Sequence, residues 1–126
     1  MTRKPTDAVR AAVLAAMTGL AALPASAWAH AMLQRASPAV GSEVPAAPSA
    51  LTLTYSEAVE PTFSTVTVKD AAGARVDQGT LSTQQDGHVL VAPLKALPPG
   101  VYTVEWHVTS VDTHKTTGHF SFTVKP

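Results

Sequence analysis

Apolar and polar residues alternate with a period of two in several short runs of the chain. In the clearest run, 101–109, the even-numbered positions are apolar and the odd-numbered positions from 103 onward are polar. The run 119–124 repeats the pattern, with Phe120, Phe122 and Val124 as its apolar members. Because successive side chains of a strand point to opposite faces, both runs predict strands with one buried face and one solvent face.

Four weaker runs, 33–36, 51–55, 65–68 and 88–91, predict further short strands, the first of them at a sheet edge. Turn-forming sequences such as Asp86-Gly87 and Pro98-Pro99-Gly100 separate them. We therefore expect an all-β fold of about seven strands, either an Ig-like antiparallel β-sandwich or a small Greek-key β-barrel. The predicted core contains Leu53, Tyr102, Val104, Trp106, Phe120 and Phe122.

Two segments carry no clear alternation. The segment 37–49 is rich in proline, and we interpret it as a long loop that crosses between the two sheets. The segment 75–85 is ambiguous, and we interpret it as a weak strand and a loop.

The first 29 residues have the pattern of a secretory signal peptide. Arg3, Lys4 and Arg10 precede an almost wholly apolar run, 11–23, and the small-residue triplet Ala27-Trp28-Ala29 follows. A membrane anchor is the alternative, but a spanning helix needs about 20 apolar residues and this run is shorter. We expect a signal peptide at 1–29 and one domain at 30–126, with His30 as the mature N-terminus.

The composition of the expected mature chain excludes several functions. It has six Lys and Arg residues and eight Asp and Glu residues, so no excess positive charge is available for nucleic acid or an anionic membrane surface. Cysteine is absent, which excludes disulfides, thiolate ligands and thiol catalysis. Met1 and Met17 would leave with the signal peptide, and the single remaining Met32 is too few for a soft thioether site for Cu(I).

The five histidines differ in what their positions indicate. His107 and His119 lie on the expected solvent faces of strands and His88 follows a turn, so we interpret these three as surface residues. Asp112 and His114 lie two apart just after a strand and would point to one side if the chain stays extended. The alternative is an ordinary turn in which Asp112 accepts backbone N–H bonds and His114 is solvated.

His30 adds a second kind of donor at the expected new terminus. A free α-amine and the Nδ1 atom of the same histidine can chelate one metal ion, because the first bond lowers the entropic cost of the second. An amine, one or two imidazoles and a carboxylate suit tetragonal Cu(II).

The chain resembles the CopC family of periplasmic copper-resistance proteins over essentially the whole expected mature region. The resemblance is carried by His30-Ala31-x-Leu33 with Ser37-Pro38-x-x-Gly41, by Leu51-Thr52-Leu53-Thr54-Tyr55-Ser56-Glu57-Ala58-Val59-Glu60, by Gly100-x-Tyr102-x-Val104-x-Trp106, and by Ser110-x-Asp112-x-His114-x-x-x-Gly118-x-Phe120-x-Phe122-x-Val124.

The resemblance implies one Cu(II) ion per chain, bound by the amine and imidazole of His30 together with Asp112 and His114. Glu57 matches an acidic position that lies near the site in some family members. The family also implies a periplasmic location and a CopD-like inner-membrane copper protein as a partner. We expect a monomeric, copper-binding protein for sequestration and carriage of copper, and not an enzyme.

Two other functions remain open on the sequence. A histidine-brace oxidative copper enzyme would also begin with a chelating histidine, but it needs an exposed aromatic surface for its substrate, and Tyr102 and Trp106 are assigned to the core. A structural Ig-like module without metal is the second alternative, because a fold does not dictate a function. No nucleophile motif of the G-x-S-x-G type supports a hydrolase.

Overall fold

The alternating runs form strands in the computed structural model, which describes residues 30–126. A short 3-10 helix, Pro61–Phe63, lies between the third and fourth strands. No helix in the described part of the chain is long and apolar enough to cross a membrane. The eight strands are β1 (Leu33–Ser37), β2 (Glu43–Val44), β3 (Ala50–Tyr55), β4 (Thr65–Lys69), β5 (Ser82–Gln84), β6 (Val89–Pro93), β7 (Gly100–Thr109) and β8 (Lys115–Val124).

The strands form two open four-stranded sheets. One has the order β1-β3-β6-β5 and the other the order β2-β8-β7-β4. All neighbours are antiparallel except β2 and β8, which are parallel. The predicted all-β sandwich is therefore confirmed, and the closed-barrel form of that prediction is not adopted.

The core lies between the two sheets and contains all six residues predicted for it. Leu53 comes from the first sheet, and the other five belong to β7 and β8 of the second. The Tyr55 and Trp106 rings meet edge to face across the interior, with centroids 5.4 Å apart. Burial of these faces supplies the main stabilisation of a domain that has no disulfide.

The predicted loop at 37–49 contains a short strand that the sequence pattern does not indicate. The chain does cross from one sheet to the other there, but Glu43 and Val44 form β2 beside the end of β8. Main-chain hydrogen bonds from Gly41 N to Ser121 O, 2.7 Å, and from Thr123 N to Ser42 O, 2.9 Å, hold this contact. A strand of two residues is too short to produce a detectable alternation of apolar and polar positions.

The end of β7 also departs from the alternation. Thr109 is expected on the solvent face, yet it is buried. Its N–H donates to Ser64 Oγ at 3.1 Å, and its hydroxyl donates to the carbonyl oxygen of Phe63 at 3.0 Å. The 3-10 helix therefore covers the end of β7 and seals the sandwich beside the β7–β8 turn.

In the ambiguous segment 75–85, the structure forms β5 and buries Asp77, which the alternation does not identify. Asp77 accepts hydrogen bonds from Val68 N at 2.9 Å, from Gly79 N at 3.1 Å and from the Arg75 guanidinium at 2.7 and 3.1 Å. Burial opposes ionisation of this carboxyl, but the Arg75 guanidinium and the Val68 N–H outweigh it and hold the pKa of Asp77 below its ordinary value. Asp77 thus fastens the 75–79 segment to β4.

Gly118 lies opposite Trp106 in the β7–β8 ladder, where an added Cβ would overlap the indole ring. We expect Gly118→Ala to lower the free energy of unfolding by about 1 to 3 kcal/mol, because the indole would have to shift within a packed core. Urea denaturation would measure this. The control is Ser121→Ala on the exposed face of the same strand, expected to stay within about 0.5 kcal/mol. Equal effects of the two substitutions would contradict the close packing of Trp106 on Gly118.

Asp77→Asn should lower the free energy of unfolding at neutral pH by about 1 to 3 kcal/mol, because a buried charge-assisted network is broken. Since the pKa of Asp77 is lower in the folded than in the unfolded state, its contribution is complete above about pH 4 and is lost as the pH falls through the lower folded value. Denaturation at neutral pH and near pH 3 should show the difference between wild type and variant shrinking in acid. Glu43→Gln, which removes an exposed ion pair with Lys125, is the control and should change little. A difference that does not depend on pH would contradict this account.

Candidate metal centre

Two of the predicted ligands, 84 positions apart in the sequence, meet at one end of the sandwich. The imidazole rings of His30 and His114 lie with centroids 4.7 Å apart and an interplanar angle of 75°. His30 is half-buried and His114 is exposed. The first described residue and the β7–β8 turn therefore form one local site.

The position of His30 follows from the two residues after it. Ala31 is only 1% exposed and belongs to the core cluster, so its methyl group anchors the chain in the sandwich. Met32 then joins the first sheet through a hydrogen bond from Ser56 N to its carbonyl oxygen at 2.9 Å. Burial of one small side chain and one strand-like bond thus bring His30 against the β7–β8 turn.

The turn between β7 and β8 carries Asp112 and His114. It is closed by hydrogen bonds from Ser110 N to His114 O and from Thr113 N to Ser110 O, both 2.9 Å, and Thr113 has a positive φ of 75°. The chain therefore turns here, as in the alternative interpretation: Asp112 accepts a hydrogen bond from His114 N at 3.4 Å, and His114 is exposed. The two side chains still meet, because the turn folds the Asp112 carboxylate back toward His114.

The Asp112 carboxylate is fixed by its neighbours. Its Oδ1 atom accepts a hydrogen bond from the hydroxyl of buried Ser110 and lies 3.2 Å from Nδ1 of His114. The Ser110 hydroxyl is the main cause that lowers the pKa of Asp112, and smaller contributions from His114 act in the same direction against the opposing effect of desolvation. Asp112 is therefore an anion at neutral pH. The Asp112 carboxylate and the His114 ring are therefore in direct contact within the turn.

The Nδ1 atom of His30 is buried and has no hydrogen-bond partner among the described residues. A buried polar atom without a partner costs free energy, which a bound metal ion would remove. No three His, Cys, Asp or Glu side chains within 30–126 form a group that could hold a metal ion. The side chains of His30, Asp112 and His114 therefore do not form a ready-made three-residue metal group in the described part of the chain.

The remaining predicted residues lie elsewhere or make no direct contact. Glu57 is half-buried, and no ion pair joins it to either histidine in the described region. His107 and His119 are exposed on the outer face of β7 and β8, as expected for surface residues. His88 is half-buried, with Nδ1 3.2 Å from Gln85 O.

Sequence reasoning missed Ser110 as part of this site. It is 1% exposed and holds Asp112 through its hydroxyl. The sequence does contain an indication of this role. The even-numbered inward positions of β7 extend one step beyond the strand to Ser110, a small polar residue just before the Asp112-x-His114 pair. A polar residue on a buried strand position needs a local partner.

The chain is similar to known proteins in both sequence and fold. The sequence profile of one family, described as CopC domain, matches residues 33–125. Protein YobA of Escherichia coli K12 is 45% identical over 102 residues, which cover 79% of this chain and 82% of YobA. Among solved structures, CopC from Methylosinus trichosporium OB3b is 33% identical, with a TM-score of 0.72, covering 77% of this chain and 95% of that one. PcoC, described as a methionine-rich copper resistance protein from Escherichia coli, is 32% identical with a TM-score of 0.67, covering 77% of this chain and all of PcoC.

Proposed function

The chain belongs to the CopC family, and we propose that it is an exported, periplasmic protein that binds one Cu(II) ion for copper resistance and homeostasis. The observation that carries this proposal is the contact between the His30 and His114 rings, in which Nδ1 of His30 is buried without a hydrogen-bond partner among residues 30–126. In this proposal, copper is the cargo of the protein and not a resident cofactor.

The proposed ligands are the amine and Nδ1 of His30, a ring nitrogen of His114 and an oxygen of Asp112. This set of three nitrogens and one oxygen suits the tetragonal geometry of Cu(II), which also stands highest in affinity among divalent first-row ions. Asp112 is an anion at neutral pH and already lies in contact with His114. Both features support the assignment.

Processing creates the fourth donor. The proposed signal peptide, 1–29, lies outside the described residues, and in the uncleaved chain the His30 nitrogen is a peptide amide joined to Ala29. An amide nitrogen has neither the free lone pair nor the basicity of an amine. Cleavage after Ala29 would therefore convert an incomplete pair of histidines into a chelating site.

Selectivity for Cu(II) over Cu(I) follows from the donors. Met32 is 63% exposed and is the single methionine of 30–126, whereas Cu(I) prefers several soft sulfur ligands. PcoC, at 32% identity, is described as methionine-rich. We propose that this chain is a Cu(II)-only variant within the same fold.

The proposed role also includes an oligomeric state and a partner protein. We propose a monomer that sequesters or carries copper, with a CopD-like inner-membrane protein as partner, and a binding rather than a catalytic function. The support is membership of a family with a member described as a copper resistance protein.

We expect Cu(II) binding to depend on a free amine at His30. Three forms should be compared by Cu(II) titration and electron paramagnetic resonance: the protein beginning at His30, the same protein extended by one N-terminal Ala, and point variants of the first. The extended form should differ in affinity and give a different spectrum, because its amine and the His30 ring belong to different residues.

Point variants of the form that begins at His30 test the other ligands. His114→Ala and Asp112→Ala should each weaken binding by about tenfold or more, since each removes one donor. The matched controls are His88→Ala, His107→Ala and His119→Ala, which should leave affinity nearly unchanged. Identical affinity and spectrum in the extended form would show that the amine is not a ligand.

We also expect the protein to discriminate between the two oxidation states of copper. The protein beginning at His30 should bind one equivalent of Cu(II) tightly and Cu(I) only weakly, because its donors are nitrogen and oxygen. Competition with a chromophoric Cu(I) chelator under reducing conditions would measure this, with Met32→Leu as the control. Tight Cu(I) binding that Met32→Leu abolishes would contradict the proposal.

A further inference from the structure

The segment His30–Met32 crosses the open end of the sandwich between two hydroxyl side chains that belong to different sheets. Ser56 directly follows β3 of the first sheet, and Thr116 is the second residue of β8 in the second sheet. Both hydroxyls bond to main-chain atoms of the segment. The segment is therefore held from both sides at the place where it presents His30.

Ser56 bonds to two different residues of the segment. Its Oγ atom accepts a hydrogen bond from Met32 N at 2.9 Å and lies 3.4 Å from the carbonyl oxygen of His30, to which it donates. A hydroxyl has one hydrogen and two lone pairs, so the two bonds can exist together. Ser56 thus fixes the direction in which the main chain leaves the first sheet toward His30.

Thr116 holds the residue between these two. Its hydroxyl donates to the carbonyl oxygen of Ala31 at 2.9 Å, while the Ala31 side chain is buried in the core. Thr116 lies two positions after His114, so the strand that holds Ala31 also begins next to a proposed ligand. The separation of His30 and His114 is therefore set by a short, bonded path.

We propose that Ser56 and Thr116 are positioning residues that hold the new N-terminus so that the amine and ring of His30 face His114 before copper arrives. This inference rests on the proposed function. Chain termini are usually poorly ordered unless they are tied down, and ordering a ligand on binding reduces affinity. Two hydroxyls that bond only to the main chain of 30–32 remove that cost without touching the metal.

The test uses the protein that begins at His30, titrated with Cu(II) alone. Thr116→Val removes the hydroxyl and keeps the shape, and Ser56→Ala removes the other hydroxyl. Each should weaken Cu(II) affinity about fivefold, in proportion to the loss of one or two neutral hydrogen bonds, and the pair by more than either alone. Thr116→Ser should restore affinity. Thr117→Val, on the exposed face of the same strand, is the matched control and should leave affinity unchanged.

A cycle with the form extended by one Ala separates positioning from general stability. In that form the amine chelate is absent, so Thr116→Val and Ser56→Ala should change its residual Cu(II) affinity by less than about twofold. Thermal unfolding of the metal-free proteins is recorded alongside. Equal losses in both forms would assign the hydroxyls a structural role and overturn the inference.

Two further outcomes are distinguishable. Unchanged affinity of the His30 form on removal of both hydroxyls, with the wild-type gap between the two forms intact, overturns the positioning role alone. Equal affinity and an identical spectrum in the two wild-type forms remove the amine from the proposed ligands, and overturn the positioning role with it. A fivefold loss confined to the His30 form and restored by Thr116→Ser supports the inference.

Discussion

The continuous pairing of β7 with β8 is the constraint on which the rest of the structure depends. All ten residues of β7 have partners in β8, from Gly100 opposite Val124 to Thr109 opposite Lys115. A slip of one residue would turn every apolar side chain of a strand to the wrong face, so burial of the inner face fixes this register. The register in turn fixes which five residues form the turn that carries Asp112 and His114.

The same pairing connects the core to the proposed metal site. Trp106 lies over Gly118 within the ladder and meets Tyr55 of the opposite sheet. Ser56, the residue after Tyr55, bonds to the main chain of Met32 and His30. The packing that joins the two sheets thus also places Ser56, which together with Thr116 holds the N-terminal segment.

Much of the fold could be predicted because alternation reports burial directly. The inward positions of β3, β7 and β8 agree with the pattern. The pattern did not predict β2 or the burial of Asp77, since a two-residue strand and a single buried carboxylate produce no periodic signal. For the site, the residue types and the spacing of Asp112 and His114 could be read from the sequence. The closeness of His30 to them could not, because alternation gives the face of a strand and not which strand ends lie together. The family resemblance supplied that expectation, and the contact between the His30 and His114 rings agrees with it.

The position of Trp106 has a consequence for spectroscopy. The chain contains two tryptophans, Trp28 and Trp106, and residues 30–126 retain only the second. Trp106 is 7% exposed and contacts both Tyr55 and Gly118, so its emission reports the junction of the two sheets. Selective excitation of indole therefore gives a single-site optical reporter in a domain that begins at His30, whereas the full chain emits from two indoles at once.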